Sequence, residues 1–181
     1  MSPRPTWISP PSWTHWSNDI PLAAGAEAPD FTLPDGDGAD RSLADLTAKG
    51  PALFVFFKTS CPVCKMAFPV YSELARRYGD EIPVVAVSQN PEDEAATWLE
   101  DVAFEGTFLL DDADGHPTSK AYDITSVPTL VMVEEGKVVA AAEGWDRERA
   151  NAFATDLGER TGRDTSPVSV KTDGRPPWRP G

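Results

Sequence analysis

Cysteine is scarce in this chain of 181 residues: there are two, both inside "FFKTSCPVCK" (Phe56–Lys65). Two cysteines make at most one bridge, which excludes the multi-bridge framework of a small secreted domain. Basic residues are also few, 16 against 29 acidic ones, for a formal net charge of −13. Such a surface has no basic footprint to draw nucleic acid or an anionic membrane, so neither is expected as a partner. No run approaches the roughly 20 apolar residues that a membrane-spanning helix needs. The opening "MSPRPTWISPPSWTHWSNDIP" has one arginine and several prolines. It lacks the apolar core of about 7–15 residues that a secretory leader carries. A cytoplasmic location is the expectation that follows.

What is present reads as one globular domain with two appendages. Hydrophobic residues make up 40% and charged residues 25%, ordinary values for a folded domain. Residues 1–24 form a Pro- and Trp-rich arm with Trp7, Trp13 and Trp16, expected to be extended because each proline fixes φ. Residues 160–181, rich in proline, glycine and charge, read as a flexible tail.

Between them, residues 25–159 alternate regularly. "PALFVFF" (Pro51–Phe57) and "IPVVAVS" (Ile82–Ser88) are short apolar runs typical of buried strands. After the cysteines, Phe68, Tyr71, Leu74, Ala75 and Tyr78 recur at helical spacing, Gly79 offers a stop, and Pro69 is expected to kink the helix. "PEDEAATWLEDV" is a second helix with acids in its first turn. A short strand "TFLLD" and a brief helix ending at Ala121 follow. Two strands around "EEGK" read as a hairpin, and a last helix runs from about Asp146 to a stop at Gly158. This order predicts an α/β fold, a mixed central sheet with helices on both faces.

The cysteine pair admits three readings. A closed zinc site needs four ligands, and C-x-x-C supplies two. Only His15, in the arm, and His116, before Pro117, could add imidazoles, so no metal is expected. A purely structural bridge across so small a loop removes little entropy from the unfolded chain. The third reading rests on placement. Cys61 follows a buried strand and precedes a helix whose first position suits Pro62. Unpaired N–H groups and the helix dipole there favour a thiolate. Cys61 is then the more exposed, attacking sulfur, and Cys64, one turn later, resolves the mixed disulfide.

Four segments carry a family resemblance: "GAEAPDFTL" (Gly25–Leu33), "FFKTSCPVCKMAFP" (Phe56–Pro69), "DDADGHPTSKAYDI" (Asp111–Ile124) and "SVPTLVMVEEGKVV" (Ser126–Val139). Together, over about Gly25 to Gly158, they resemble the thioredoxin superfamily, in particular TlpA-like thiol–disulfide reductases related to the alkyl hydroperoxide reductase/thiol-specific antioxidant group. The resemblance implies a thioredoxin-like fold and a cis peptide bond at Pro128 facing the cysteines. It also implies a Val127 amide that docks the substrate chain, with no cofactor. The partners implied are a protein or small-molecule disulfide and a thiol reductase that recharges the dithiol.

Three departures qualify it. Ser60 stands where such reductases usually have Trp, Val55 where thioredoxin has a buried aspartate, and Ala67 where TlpA-like proteins often have glutamate. Both familiar proton-managing carboxylates are therefore missing, leaving Lys58, Lys65 and Glu143 as titratable groups near the motif. A thiol peroxidase is one alternative, with Thr59 and Ser60 as nearby hydroxyls. The peroxidase pattern P-x-x-x-T-x-x-C fails for both cysteines, its positions being Phe57 and Cys61 for Cys64, and Phe54 and Lys58 for Cys61. A non-enzymatic binding module is the other alternative.

Overall fold

The computed structural model describes residues 22–112 and 114–181. Residues 1–21 of the N-terminal arm, with Trp7, Trp13, His15 and Trp16, lie outside them. A short hairpin, β1 (Thr32–Pro34) and β2 (Asp40–Ser42), leads into the one-turn helix α1 (Leu43–Leu46). Ser42 and Asp45 form a reciprocal cap there, side chain to backbone in both directions. The hairpin turn is held by buried Asp35, which accepts from the Asp37 and Ala39 amides and from the Arg41 guanidinium.

The central unit follows as β3 (Ala52–Phe57), α2 (Pro62–Tyr78), β4 (Val84–Ser88), α3 (Glu92–Asp101), β5 (Phe108–Leu110) and α4 (Pro117–Ala121). The hairpin β6 (Thr129–Glu134) and β7 (Lys137–Glu143), the two-residue strand β8 (Trp145–Asp146) and helix α5 (Arg147–Thr161) complete it. The five-stranded sheet has the order β5-β4-β3-β6-β7. β3, β4 and β5 are parallel, whereas β6 runs antiparallel to both β3 and β7. Every residue of β3 and of β4 is buried, as continuous apolar runs require of strands covered on both faces.

The alternation along β3 shows what covers each face. Phe54 and Phe56 point to the side where Phe31 and Tyr122, the residue capping α4, meet them edge-on or tilted. Phe57 points the other way, onto Phe68 of α2 and Trp98 of α3, each 4.9 Å between ring centroids. Helix α5 packs beside α2. The expected mixed sheet with helices on both faces is thus found. Trp98, stacked on Phe57, and Trp145, fully buried, act as packing residues.

Helix α2 is continuous through Pro69, which is exposed. Two local expectations change. Helix α5 does not stop at Gly158 but runs to Thr161, with Gly162 taking the left-handed cap at φ +67°. Gly158 is buried instead because the chain returns over it: a Cβ there would come within 2.7 Å of the Asp164 carbonyl.

The second change concerns the tail. Composition argued for a flexible segment from residue 160, yet residues 164–181 are bonded to the domain. Asn151 holds the Val168 and Ser169 amides and the Ser169 carbonyl. Arg147 reaches Ser169, Asp173 and the Arg175 carbonyl. A last strand, β9 (Trp178–Arg179), pairs antiparallel with β8.

Candidate active site at the Cys61–Cys64 corner

Strand β3 ends at Phe57, and five residues later the chain enters α2, so the cysteines emerge at the carboxyl end of β3. The Thr59 amide donates to Asn90 Oδ1 at 2.9 Å, tying this turn to the end of β4. Cys61 is the N-cap of α2 and Pro62 its first residue, with Ser60 and Pro62 exposed on either side. The cap is a sulfur: the Cys64 amide donates to Cys61 Sγ at 3.2 Å. An unpaired N–H of the first helical turn is thereby turned onto the sulfur expected to attack.

Both cysteines are free. Cys61 retains 6% of its surface and Cys64 none, so the difference in access is small but has the expected sign. The Cys61 thiol donates to the Val127 carbonyl at 3.2 Å. The Val127–Pro128 peptide is cis, and β6 begins at Thr129, paired with Phe56 of β3. That register brings the loop before β6 beside the cysteine turn, although 66 residues separate Cys61 from Val127. Cys61, Cys64, Val127 and Pro128 thus converge. Val127 presents its carbonyl to Cys61.

Burial pushes the Cys64 thiol well above the ordinary thiol range. A hydrogen bond from the Lys58 backbone opposes that rise, and the neighbouring Cys61 adds to it. Val55 and Ala67, at the two familiar carboxylate positions, are fully buried. Glu143 is engaged elsewhere, accepting from Ser126 Oγ at 2.5 Å. Lys58 and Lys65 are exposed, though the Lys58 charge favours the Cys64 thiolate.

Tyr71, read from the sequence only as part of the apolar helix face, stands close enough to feel both sulfurs. It lies seven residues past Cys64, two turns along the same face of α2, and that spacing was the available signal. Fully buried, its phenol is raised first by burial and then by Cys64, Asp146 and Cys61. His116 is structural: its Nδ1 lies 2.6 Å from the Asp111 carbonyl, and since a carbonyl only accepts, that nitrogen carries the proton. The buried Asp111 carboxylate accepts from the Thr118 and Ser119 amides and caps α4. Among the described residues, no helix is long and apolar enough to cross a membrane.

A C-x-x-C at a strand-to-helix junction, with a cis X–Pro opposite, has the parts needed to exchange disulfides. The model of the AhpC/TSA family matches residues 24–142. Thioredoxin-like protein YneN of Bacillus subtilis is 29% identical over 129 residues, 70% of this chain and 74% of the relative. Thiol-disulfide oxidoreductase ResA of the same species is 29% identical over 126 residues, 68% of this chain and 69% of the relative. Among solved structures, the thioredoxin domain of a thiol-disulfide oxidoreductase from Bacteroides vulgatus superposes with a TM-score of 0.61 at 25% identity. That match covers 68% of this chain and 91% of the other. The chain belongs to the AhpC/TSA family and has the thioredoxin fold, in its TlpA-like, C-x-x-C-bearing form.

Proposed function

We propose that the protein is a thiol–disulfide oxidoreductase that reduces protein disulfides through Cys61 and Cys64. The observation that carries this reading is the sulfur-capped helix: Cys61 Sγ sits on the first-turn amide of α2, with buried Cys64 directly behind it. The Cys61 thiolate attacks one sulfur of the substrate disulfide. That S–S bond breaks, a mixed disulfide forms, and the departing thiolate takes up a proton. Cys64 then gives up its proton and attacks Cys61 Sγ, closing the Cys61–Cys64 bridge and releasing the second substrate thiol. The substrate gains two electrons and two protons, and the protein dithiol loses them.

Because burial holds Cys64 in its protonated form, the second step needs a proton acceptor. Val55 and Ala67 stand at the two positions where the family resemblance implies a carboxylate. The resolving step is therefore the slower one near neutral pH and accelerates as pH rises. Reduction, rather than oxidation, of substrates belongs with a cytoplasmic location and a separate thiol reductase that returns the two electrons; these are parts of the same proposal.

Stopped-flow oxidation of the reduced protein tests it, with a protein disulfide in one arm and hydrogen peroxide in the other. Fast bridging by the disulfide and slow oxidation by peroxide is the expected result. Fast peroxide consumption with an inert disulfide would make the protein a thiol peroxidase, and inertness in both arms would leave a binding module.

A further inference from the structure

The family resemblance implies that a substrate chain docks at Val127, whose carbonyl lies against Cys61 Sγ. That place is already taken. The C-terminal segment crosses from the cysteine helix to the cis-proline loop as an extended strap. It is fixed first where Arg175 donates to the Met66 carbonyl of α2 at 2.9 Å. The Trp145 indole N–H then holds the Pro176 carbonyl at 2.7 Å, and the Arg147 amide holds that of Pro177 at 3.0 Å. Pairing of β8 with β9 carries the strap past Gly144, where a Cβ would come within 2.8 Å of the Arg179 carbonyl and 3.1 Å of the Gly181 amide. At its end Gly181 lies so close that a Cβ there would overlap the Val127 carbonyl oxygen and stand 3.0 Å from Ser126 Oγ.

The strap reads as a ligand rather than as core. Its contacts to the domain are mostly through backbone carbonyls, and its one large apolar side chain, Trp178, points outward at 59% exposure. "RPPWRPG" (Arg175–Gly181) holds three prolines and two arginines with no acid, on a chain of net charge −13. Prolines keep such a segment extended and lower the entropy lost on docking.

We propose that residues 175–181 occupy the substrate-docking groove beside Cys61, and that extended, proline-bearing, basic segments of protein substrates compete with the strap for it. This rests on the reductase reading and deepens it. Substrate engages only the strap-open fraction, so apparent activity falls by that fraction.

The test compares the full chain with one ending at Asp173, which keeps the Arg147–Ser169–Asp173 cluster, and with full-length Gly181→Val. Two rates are read: reduction of a protein disulfide, and labelling of Cys61 by a bulky maleimide, which needs no disulfide chemistry. With the strap open in about one molecule in ten, both rates rise about tenfold in the shortened chain and less in Gly181→Val. The free peptide RPPWRPG added to the shortened chain returns both toward the full-length values. Unchanged rates in a shortened chain with unaltered circular dichroism would overturn the proposal. If that chain loses its fold, Gly181→Val decides: faster labelling supports the strap as occupant, and unchanged labelling overturns it. Faster labelling without any disulfide reduction would keep the strap and remove the reductase reading.

Discussion

The dithiol corner and the Asp173 corner are both built on chain turns against a helix, yet they use opposite chemistry. Around Cys61 and Cys64 the polar partners are backbone groups: the Cys64 amide, the Val127 carbonyl and the Lys58 main chain. Around Asp173 they are charges and hydroxyls. The carboxylate accepts from Ser169 Oγ at 2.5 Å, from the Arg175 amide at 2.9 Å, and from the guanidinium groups of Arg175 at 3.2 Å and Arg147 at 3.4 Å. Burial opposes the Asp173 charge, but those bonds outweigh it and hold the carboxyl well below the usual carboxylate range. Fixed charge is spent on holding the tail. The sulfur site is left to amide dipoles, which orient a sulfur without supplying a proton acceptor.

The sharpest way to break this contrast is to remove one sulfur. Cys61→Ser is expected to abolish disulfide reduction while leaving the thermal transition close to wild type, since one nearly isosteric atom changes; turnover assays beside a melt check it. At the other corner, Asp173→Asn is expected to cost about 1–3 kcal/mol, because hydrogen bonds to a charged group are lost. The loss should appear in denaturant melts. Asp173 has a lowered native pKa, so its contribution is present above the unfolded value near 3.8 and is lost as pH falls through the depressed native one. Tail docking should therefore survive mild acid and fail only well below pH 4.

The sulfur corner should fail from the alkaline side instead. The native pKa of Cys64 is raised above its unfolded value of 9.0, so its stabilisation is complete below that pH and declines as pH rises beyond it. Reduced protein should lose about 1 kcal/mol by pH 10 through this thiol. The oxidised form, with no thiol at Cys64, should show a shallower decline, although buried Tyr71 and Tyr122 contribute to both. The smallest effect belongs to an ion pair that takes part in neither corner. Glu73 binds Arg76 and Arg77 on the surface of α2 and is held down to about 2, chiefly by the Arg76 hydrogen bond. Glu73→Gln should cost only about 0.5 kcal/mol in the same melts.

The same contrast explains what could be read from the sequence. Buried strands such as Ala52–Phe57, and a helix beginning at Pro62, follow from local apolar pattern and cap chemistry, and the structure has both. The cysteine pair was legible because its chemistry lies within four consecutive residues. The strap was not, because proline, glycine and charge carry no periodicity. Its bonds run from Arg147, Trp145 and Met66 to residues far along the chain, and only tertiary structure brings these together. Gly158 misled for a related reason, serving the close passage of Asp164 rather than a helix stop. The β1–β2 hairpin left no strand pattern of its own and was not expected; the resemblance segment Gly25–Leu33 reaches only the first two residues of β1.

The central claim is a division of labour between the two sulfurs, and trapping tests it most directly. Cys64→Ser, mixed in its reduced form with a protein disulfide, should accumulate a mixed disulfide that mass analysis places on Cys61. The Cys61→Ser chain under the same conditions should form none. An adduct on Cys64 in the Cys61→Ser chain, or no adduct in either, would contradict the account.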